Sequence, residues 1–336
     1  MSRLLHPPRP PRPGTRRRVL QGGVASALAL AGIARAQDAW PSRPLRMLVG
    51  YPAGSGIDAT ARQLARQLEA YAGQPVIVDN RAGALGNLAA QAVAAAVGDP
   101  YTLLFTPNST HAANVHLFKK LPFDPVRDFS PVGSVAELGF VLICDPKALK
   151  VSGMPELLQQ LRRDPAKFIY GSGNATGQVS GAVFANKLGL ELLGVPYKGV
   201  PPAITDLLGG RIQLVFADAT LAIPMIAAGR VQALAVTSRT RMAALPNVPT
   251  MIESGLPGYD LTGWFAVFLP AKVAPATVDK LAGYVQRALK EPALAAFMRG
   301  IGAEPVASTP EELRQRVLSE TERWGRLIKL AGIEPE

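Results

Sequence analysis

Short apolar runs punctuate this chain, and most are followed by a stretch with helical periodicity. The runs lie at 45–50, 76–80, 101–106, 140–144, 168–172, 192–197, 212–217, 231–237 and 264–269. Runs of this length, bounded by glycine, proline and asparagine, suit buried strands, and the amphipathic stretches between them suit helices. The alternation predicts an α/β fold with parallel sheets. In the stretch after the first run, Ile57, Ala61, Leu64, Ala65 and Leu68 fall on one stripe, while Arg62, Arg66 and Glu69 fall on other faces. Ser55 and Asp58 have the spacing of a capping box at its start. Near the carboxyl end, Thr309, Pro310 and Glu312 spell a second capped start. Leu313, Val317, Trp324, Leu327 and Ile328 form the apolar face that follows, with Gly332 beyond it.

Residues 1–36 predict export. Arg16-Arg17-Arg18 precede an apolar run at 22–33, and Ala34-Arg35-Ala36 has the form of a cleavage site, which makes Gln37 the first mature residue. The apolar run is shorter than the roughly 20 residues a spanning helix needs. Arg16-Arg17 before Val19-Leu20 resembles a twin-arginine signal, with an ordinary secretion signal as the alternative. This segment holds seven arginines and no acid, so the net charge falls by seven from +11 to +4 on its removal. No basic stripe remains, and nucleic acid is not expected as a partner. Roughly 300 residues are left, enough for two domains of ordinary size.

A search for chemistry returns little. His111 and His116, five apart, do not share a helix face, and neither H-E-x-x-H nor C-x-x-C occurs, so no metal is expected. Both histidines read as surface or supporting polar residues. Gly54-Ser55-Gly56 and Gly171-Ser172-Gly173 each fall short of a G-x-S-x-G elbow. Cys144, the single cysteine, ends an apolar run and reads as a small buried group. No catalytic residue and no cofactor are expected. A secreted hydrolase using Ser55 or Ser172 is the formal alternative.

Binding has more support. Pro52-Ala53-Gly54-Ser55-Gly56 joins a strand to a helix, the layout that holds phosphates. It lacks the Gly-Lys-Ser/Thr of a P-loop, and Ala59 stands where the dinucleotide fingerprint needs its third glycine. What remains is a set of free N–H groups and a helix amino end, which suit a carboxylate as well as a phosphate. Similar small or polar turns follow the strands at 80–87, 106–110, 171–177, 195–199 and 217–220, on the side where open α/β sheets bind ligands. Crossings near 130–138 and 255–262 divide the chain into a discontinuous lobe, 37–138 with 260–336, and a lobe at 139–259. The expected ligand-facing residues are Tyr51, Ala53, Gly54, Ser55, Asp58, Ser109, Ser172, Asn174, Ala175, Thr176, Tyr197 and Asp218. Asp58 also reads as a helix cap, Asp218 as a turn residue, and Lys198 as either an anion contact or a solvated lysine.

An ordered set of segments then carries a resemblance. These are Tyr51-Pro52-Ala53-Gly54 with Asp58, Asn80-Arg81-Ala82-Gly83, Leu121-Pro122-Phe123-Asp124-Pro125, Val195-Pro196-Tyr197-Lys198-Gly199, Thr205-Asp206-Leu207-Leu208-Gly209-Gly210, Leu245-Pro246-Asn247-Val248-Pro249-Thr250 and Gly255-Leu256-Pro257-Gly258-Tyr259. Together they resemble the Bug family, the extracytoplasmic solute receptors of tripartite tricarboxylate transporters. The resemblance implies a type II periplasmic-binding-protein fold, two α/β lobes closing on a small carboxylate held by backbone N–H groups and water. It also implies a periplasmic location and delivery to integral membrane permease subunits, with an orphan receptor that signals to a sensor as the alternative. Gly54-Ser55 departs from the family's Gly-Gly, Asp218-Ala219 from its Asp-Asn, and Ser172-Gly173-Asn174-Ala175-Thr176 lacks a downstream histidine.

Overall fold

The first strand, β1 (Leu45–Val49), buries four of its five residues, and the chain then turns into α1 (Gly56–Ala72) with its predicted stripe inward. The computed structural model describes residues 40–335, so the export signal read at 1–36 lies outside the described residues. The chain continues through β2 (Val76–Asn80), α2 (Asn87–Ala94), β3 (Thr102–Pro107), α3 (Asn114–Leu117), β4 (Phe129–Cys144), α4 (Met154–Arg163), β5 (Ile169–Ser172) and α5 (Ala175–Leu188). There follow β6 (Leu193–Pro196), α6 (Val200–Leu208), β7 (Leu214–Asp218), α7 (Ala219–Ala227), β8 (Gln232–Val236), β9 (Thr262–Pro270), α8 (Pro275–Lys290), α9 (Pro292–Gly300), β10 (Ala303–Pro305) and α10 (Pro310–Leu330).

The strands run β2-β1-β3-β9-β4-β7-β5-β6, with β10 and β8 added along β4. Each end of this order is a parallel α/β sheet: β1 with β2 and β3, and β5 with β6 and β7. The centre is antiparallel, so the parallel sheets expected from the sequence form the two ends of a mixed sheet. The chain leaves the first sheet along β4 and comes back along β9, so the two neighbours run in opposite directions.

β4 is the element that joins the sheets. Its residues 129–139 pair with β9, and residues 140–144 pair with β7 and β8. The stretch 130–138, read from sequence as a connecting crossing, is therefore strand. Pro131 and Gly133 look like breakers, but the register shifts between them and again between Ser134 and Ala136. Such bulges absorb residues that a regular ladder rejects.

Local expectations meet three further outcomes. The Thr309–Glu312 capping box forms, whereas Ser55 caps α1 without a side-chain bond, because its hydroxyl donates to the Pro52 carbonyl at 2.6 Å. Cys144 is buried, and burial with the nearby Asp145 charge pushes its thiol up to about 12. His111 is no surface residue. It is fully buried, stacked on Phe268 at 3.8 Å between centroids, with Nδ1 2.8 Å from the Thr110 hydroxyl. Among the described residues no helix is long and apolar enough to cross a membrane.

Candidate ligand-binding cleft

A cavity lies where the carboxyl ends of strands from the two sheets face one another. Tyr51, Ser55, Ile57, Pro107 and Asn108 line it from the first sheet's loops. Gly173, Asn174, Thr176, Val200 and Asp218 line it from the second, and Leu138, Phe140, Gly263 and Phe265 from β4 and β9. Four helices begin here. Ser55, Asn174 and Asp218 are the N-cap residues of α1, α5 and α7, and Val200 is the first residue of α6. Helix amino ends leave N–H groups unpaired and together act as partial positive charge, so four of them make a cavity for an anion without any basic side chain. Among the described residues no lysine or arginine is on the wall.

The cavity is narrow. The volume open to the centre of a water molecule is about 20 Å³, enough for one or two waters. Asn108 bridges it, its Nδ2 donating to the Thr176 hydroxyl at 3.0 Å. Asn174 caps α5 by accepting the Gly177 N–H at 2.9 Å. Tyr51 donates its hydroxyl to the Leu85 carbonyl at 3.1 Å, and burial drives its phenol far above the ordinary value, which keeps it neutral. Leu85 belongs to a strained turn in which Ala84 and Leu85 have φ of 47° and 51°. Asp218, 6 % exposed, accepts the Leu221 N–H at 3.2 Å and the Thr220 hydroxyl, both at Oδ1. Burial raises its carboxyl above the usual range, against the pull of those bonds.

Of the residues expected to face a ligand, Tyr51, Ser55, Asn174, Thr176 and Asp218 come together on this wall. The others lie off it for separate reasons. Ala53 and Gly54 sit exposed at the outside of their turn, while Ser109, Ser172 and Ala175 are buried behind the wall. Tyr197 turns away to donate to Asp206 Oδ2 at 2.8 Å, and Lys198 is exposed. Asp58 is a clamp. It accepts the Gly54 N–H at 2.9 Å, Asn80 Nδ2 at 2.9 Å and Arg62 Nε at 3.1 Å. Burial pushes its carboxyl up, but Arg62, Gly54 and Asn80 more than reverse this and hold it below the usual range.

Sequence reasoning missed Asn108 and Gly173 as wall residues, although both stand in polar turns it had singled out. It gave no signal for Ile57, Pro107, Leu138, Phe140, Val200, Gly263 or Phe265. The Ser55 hydroxyl is spent on Pro52, His111 bonds Thr110, and His116 Nε2 lies 2.9 Å from the Thr321 carbonyl.

Comparison with known proteins places this geometry. Residues 60–333 match the family model described as the tripartite tricarboxylate transporter family receptor. BugT of Bordetella pertussis is 34 % identical over 311 residues, 91 % of this chain and 95 % of that protein. The solved structure of the periplasmic binding protein BugD is 31 % identical with a TM-score of 0.85, covering 88 % of this chain and 100 % of the other. A protein of R. palustris solved with adipate is 34 % identical with a TM-score of 0.86, again over 88 % and 100 %. The two-lobed fold of periplasmic binding proteins is thus shared with both solved structures, and the chain belongs to the tripartite tricarboxylate transporter receptor family.

Proposed function

We propose that the chain is a periplasmic receptor that captures a small carboxylate and hands it to the permease subunits of a tripartite tricarboxylate transporter, without chemistry of its own. The observation that carries this reading is the convergence of four helix amino ends on a closed cavity with no basic side chain. The adipate bound by the similar R. palustris protein supports the choice of a carboxylate over a phosphate. Tyr51, Ser55, Asn174, Thr176 and Asp218, with Asn108, form the proposed contact set. Export with cleavage after Ala36 supplies the location.

The lobes divide as 37–138 with 260–336, and 139–259. Support comes from β4, whose partners change from β9 to β7 and β8 at residues 139 and 140. A panel of carboxylates, scanned by thermal unfolding, tests the reading. A true ligand at 100 times its Kd stabilises the folded form by about 2.7 kcal/mol, and it is recovered unchanged after incubation. Stabilisation by phosphates alone, or consumption of the ligand, would sink it.

A further inference from the structure

One buried side chain ties together the two strands by which the chain passes between the proposed lobes. Thr237 directly follows β8, is fully buried and is not on the cavity wall. Its N–H donates to the Phe140 carbonyl at 2.9 Å. In an antiparallel ladder the return bond of such a pair runs from the Phe140 N–H to the Thr237 carbonyl. Here that carbonyl accepts the Leu261 N–H at 3.0 Å, and the Thr237 hydroxyl stands in for it, Oγ1 accepting the Phe140 N–H at 3.0 Å. The hydroxyl proton goes to the Leu261 carbonyl at 2.6 Å, with the Phe140 carbonyl farther off at 3.2 Å.

Both tied residues stand at a crossing. β4 pairs with β9 as far as Gly139 and with β7 from Phe140, and Leu261 directly precedes β9. Beside each fixed point lies a permissive residue, Gly139 next to Phe140 and Gly263 two residues beyond Leu261. Hinges are a few such residues that absorb the change of backbone angle. The polar groups of the knot are buried, and parting them would leave donors and acceptors unpaired away from water, so bending is cheaper beside the knot than through it. Resting on the two-lobe division, we propose that Thr237 is a positioning residue for capture. Its hydroxyl pins both crossing strands to the end of β8, so that the lobes turn about one fixed axis at Gly139 and Gly263.

Distances between spin labels on the mature chain test this without any ligand. One pair spans the lobes, at Arg66→Cys in α1 and Gln159→Cys in α4. A second lies within one lobe, at Gln159→Cys and Asn186→Cys in α5, and all three positions are exposed. The native Cys144 is buried and escapes the label. Thr237→Val keeps the shape of the side chain and removes the hydroxyl, whereas Thr237→Ser keeps the hydroxyl. The expected result is that Thr237→Val widens the distance distribution across the lobes and leaves the one within the lobe as narrow as before, and that Thr237→Ser matches the unaltered chain at both. Widening of both pairs would overturn the proposal, since Thr237 would then serve stability alone. So would widening in Thr237→Ser to the same extent as in Thr237→Val. A folded Thr237→Val chain that moves as the unaltered chain does would overturn the proposal and spare the two-lobe division. One fixed distance across the lobes in every chain would remove the motion itself, and both readings with it. If Thr237→Val does not fold, amide exchange of the unaltered chain decides. The Phe140 and Leu261 amides should be as protected as those of the core strands, and exchange as fast as in the exposed turns would overturn the knot.

Discussion

Two carboxylates near the cleft differ by their partners: Arg62, Asn80 and the Gly54 N–H hold Asp58, whereas Asp218 is buried beside Thr220 and the Leu221 N–H. Tyr51, Ser55, Asn174, Thr176 and Asp218 were legible as cavity residues because each stands within a turn or helix start that follows a strand. Asp58 and Tyr197 stand in equally suitable places, but side-chain direction is settled by partners distant in sequence, Asn80 for the one and Asp206 for the other. Gly54 was expected to face a ligand, yet a Cβ there meets open space, and its φ of +79° is what demands glycine. His111 offers a pH signature of its own. Burial lowers its imidazole to about 3, so the folded chain stays neutral there while the unfolded chain takes a proton below roughly 6.5. The folded state binds fewer protons throughout that window, so its stability falls as pH drops, by about 1.4 kcal/mol per pH unit between about 6.5 and 3. His111→Phe keeps the ring stack on Phe268 and removes the titration. Urea midpoints followed from neutral to acid pH should fall less steeply in this variant, and an unchanged slope would assign the acid sensitivity elsewhere.

Among the elements, legibility followed regularity. The two parallel ends and the last helix could be read to within a residue or two, since hydrophobic period and capping residues agree there. The first half of β4 could not, because its bulges carry the proline and glycine that ordinarily mark a loop, and β10 is too short at three residues to leave a pattern. Phe140 and Phe265 were invisible as site residues for a related reason: a buried aromatic on a strand looks the same whether it faces a core or a cavity. The turn at Ala84–Gly86 is another case. Gly83, Ala84, Leu85 and Gly86 all have positive φ, and Asn114 Nδ2, at 3.2 Å, joins Tyr51 in holding the Leu85 carbonyl. A left-handed alanine costs roughly 1–2 kcal/mol relative to glycine, offset in part by glycine's greater freedom when unfolded. Ala84→Gly should therefore raise stability by about 0.5–1 kcal/mol and leave ligand affinity unaltered. Denaturant unfolding checks the first expectation, and a loss of stability would mean that the turn is not strained at this residue.

At the scale of the molecule, the approach of the two sheets' loops depends on glycines. A Cβ on Gly199 would lie 2.7 Å from Pro52 Cδ, and one on Gly302 would lie 2.9 Å from the Ala219 Cβ. Gly56 is the most informative of these positions, because it begins α1 and presses on Thr220 and Asp218 across the cavity. Within a helix alanine is more stable than glycine by roughly 0.5–1 kcal/mol. That preference is outweighed here, because a Cβ on Gly56 overlaps Thr220 and Asp218, so Gly56→Ala should lower the stability of the unliganded chain unless the loops move apart. The added methyl occupies the space that Thr220 fills, so the variant has to hold its loops apart or displace Asp218. Either outcome removes differential affinity for the closed form, which is the only means by which a ligand drives closure. Affinity should fall by tenfold or more, about 1.4 kcal/mol. Small-angle scattering should show a radius of gyration that shrinks with ligand in the unaltered chain and stays constant in the variant. A Gly56→Ala chain that binds and compacts like the original would show that the α1–α7 contact is incidental to capture, and the closing surfaces would then be sought at Gly199 and Gly302.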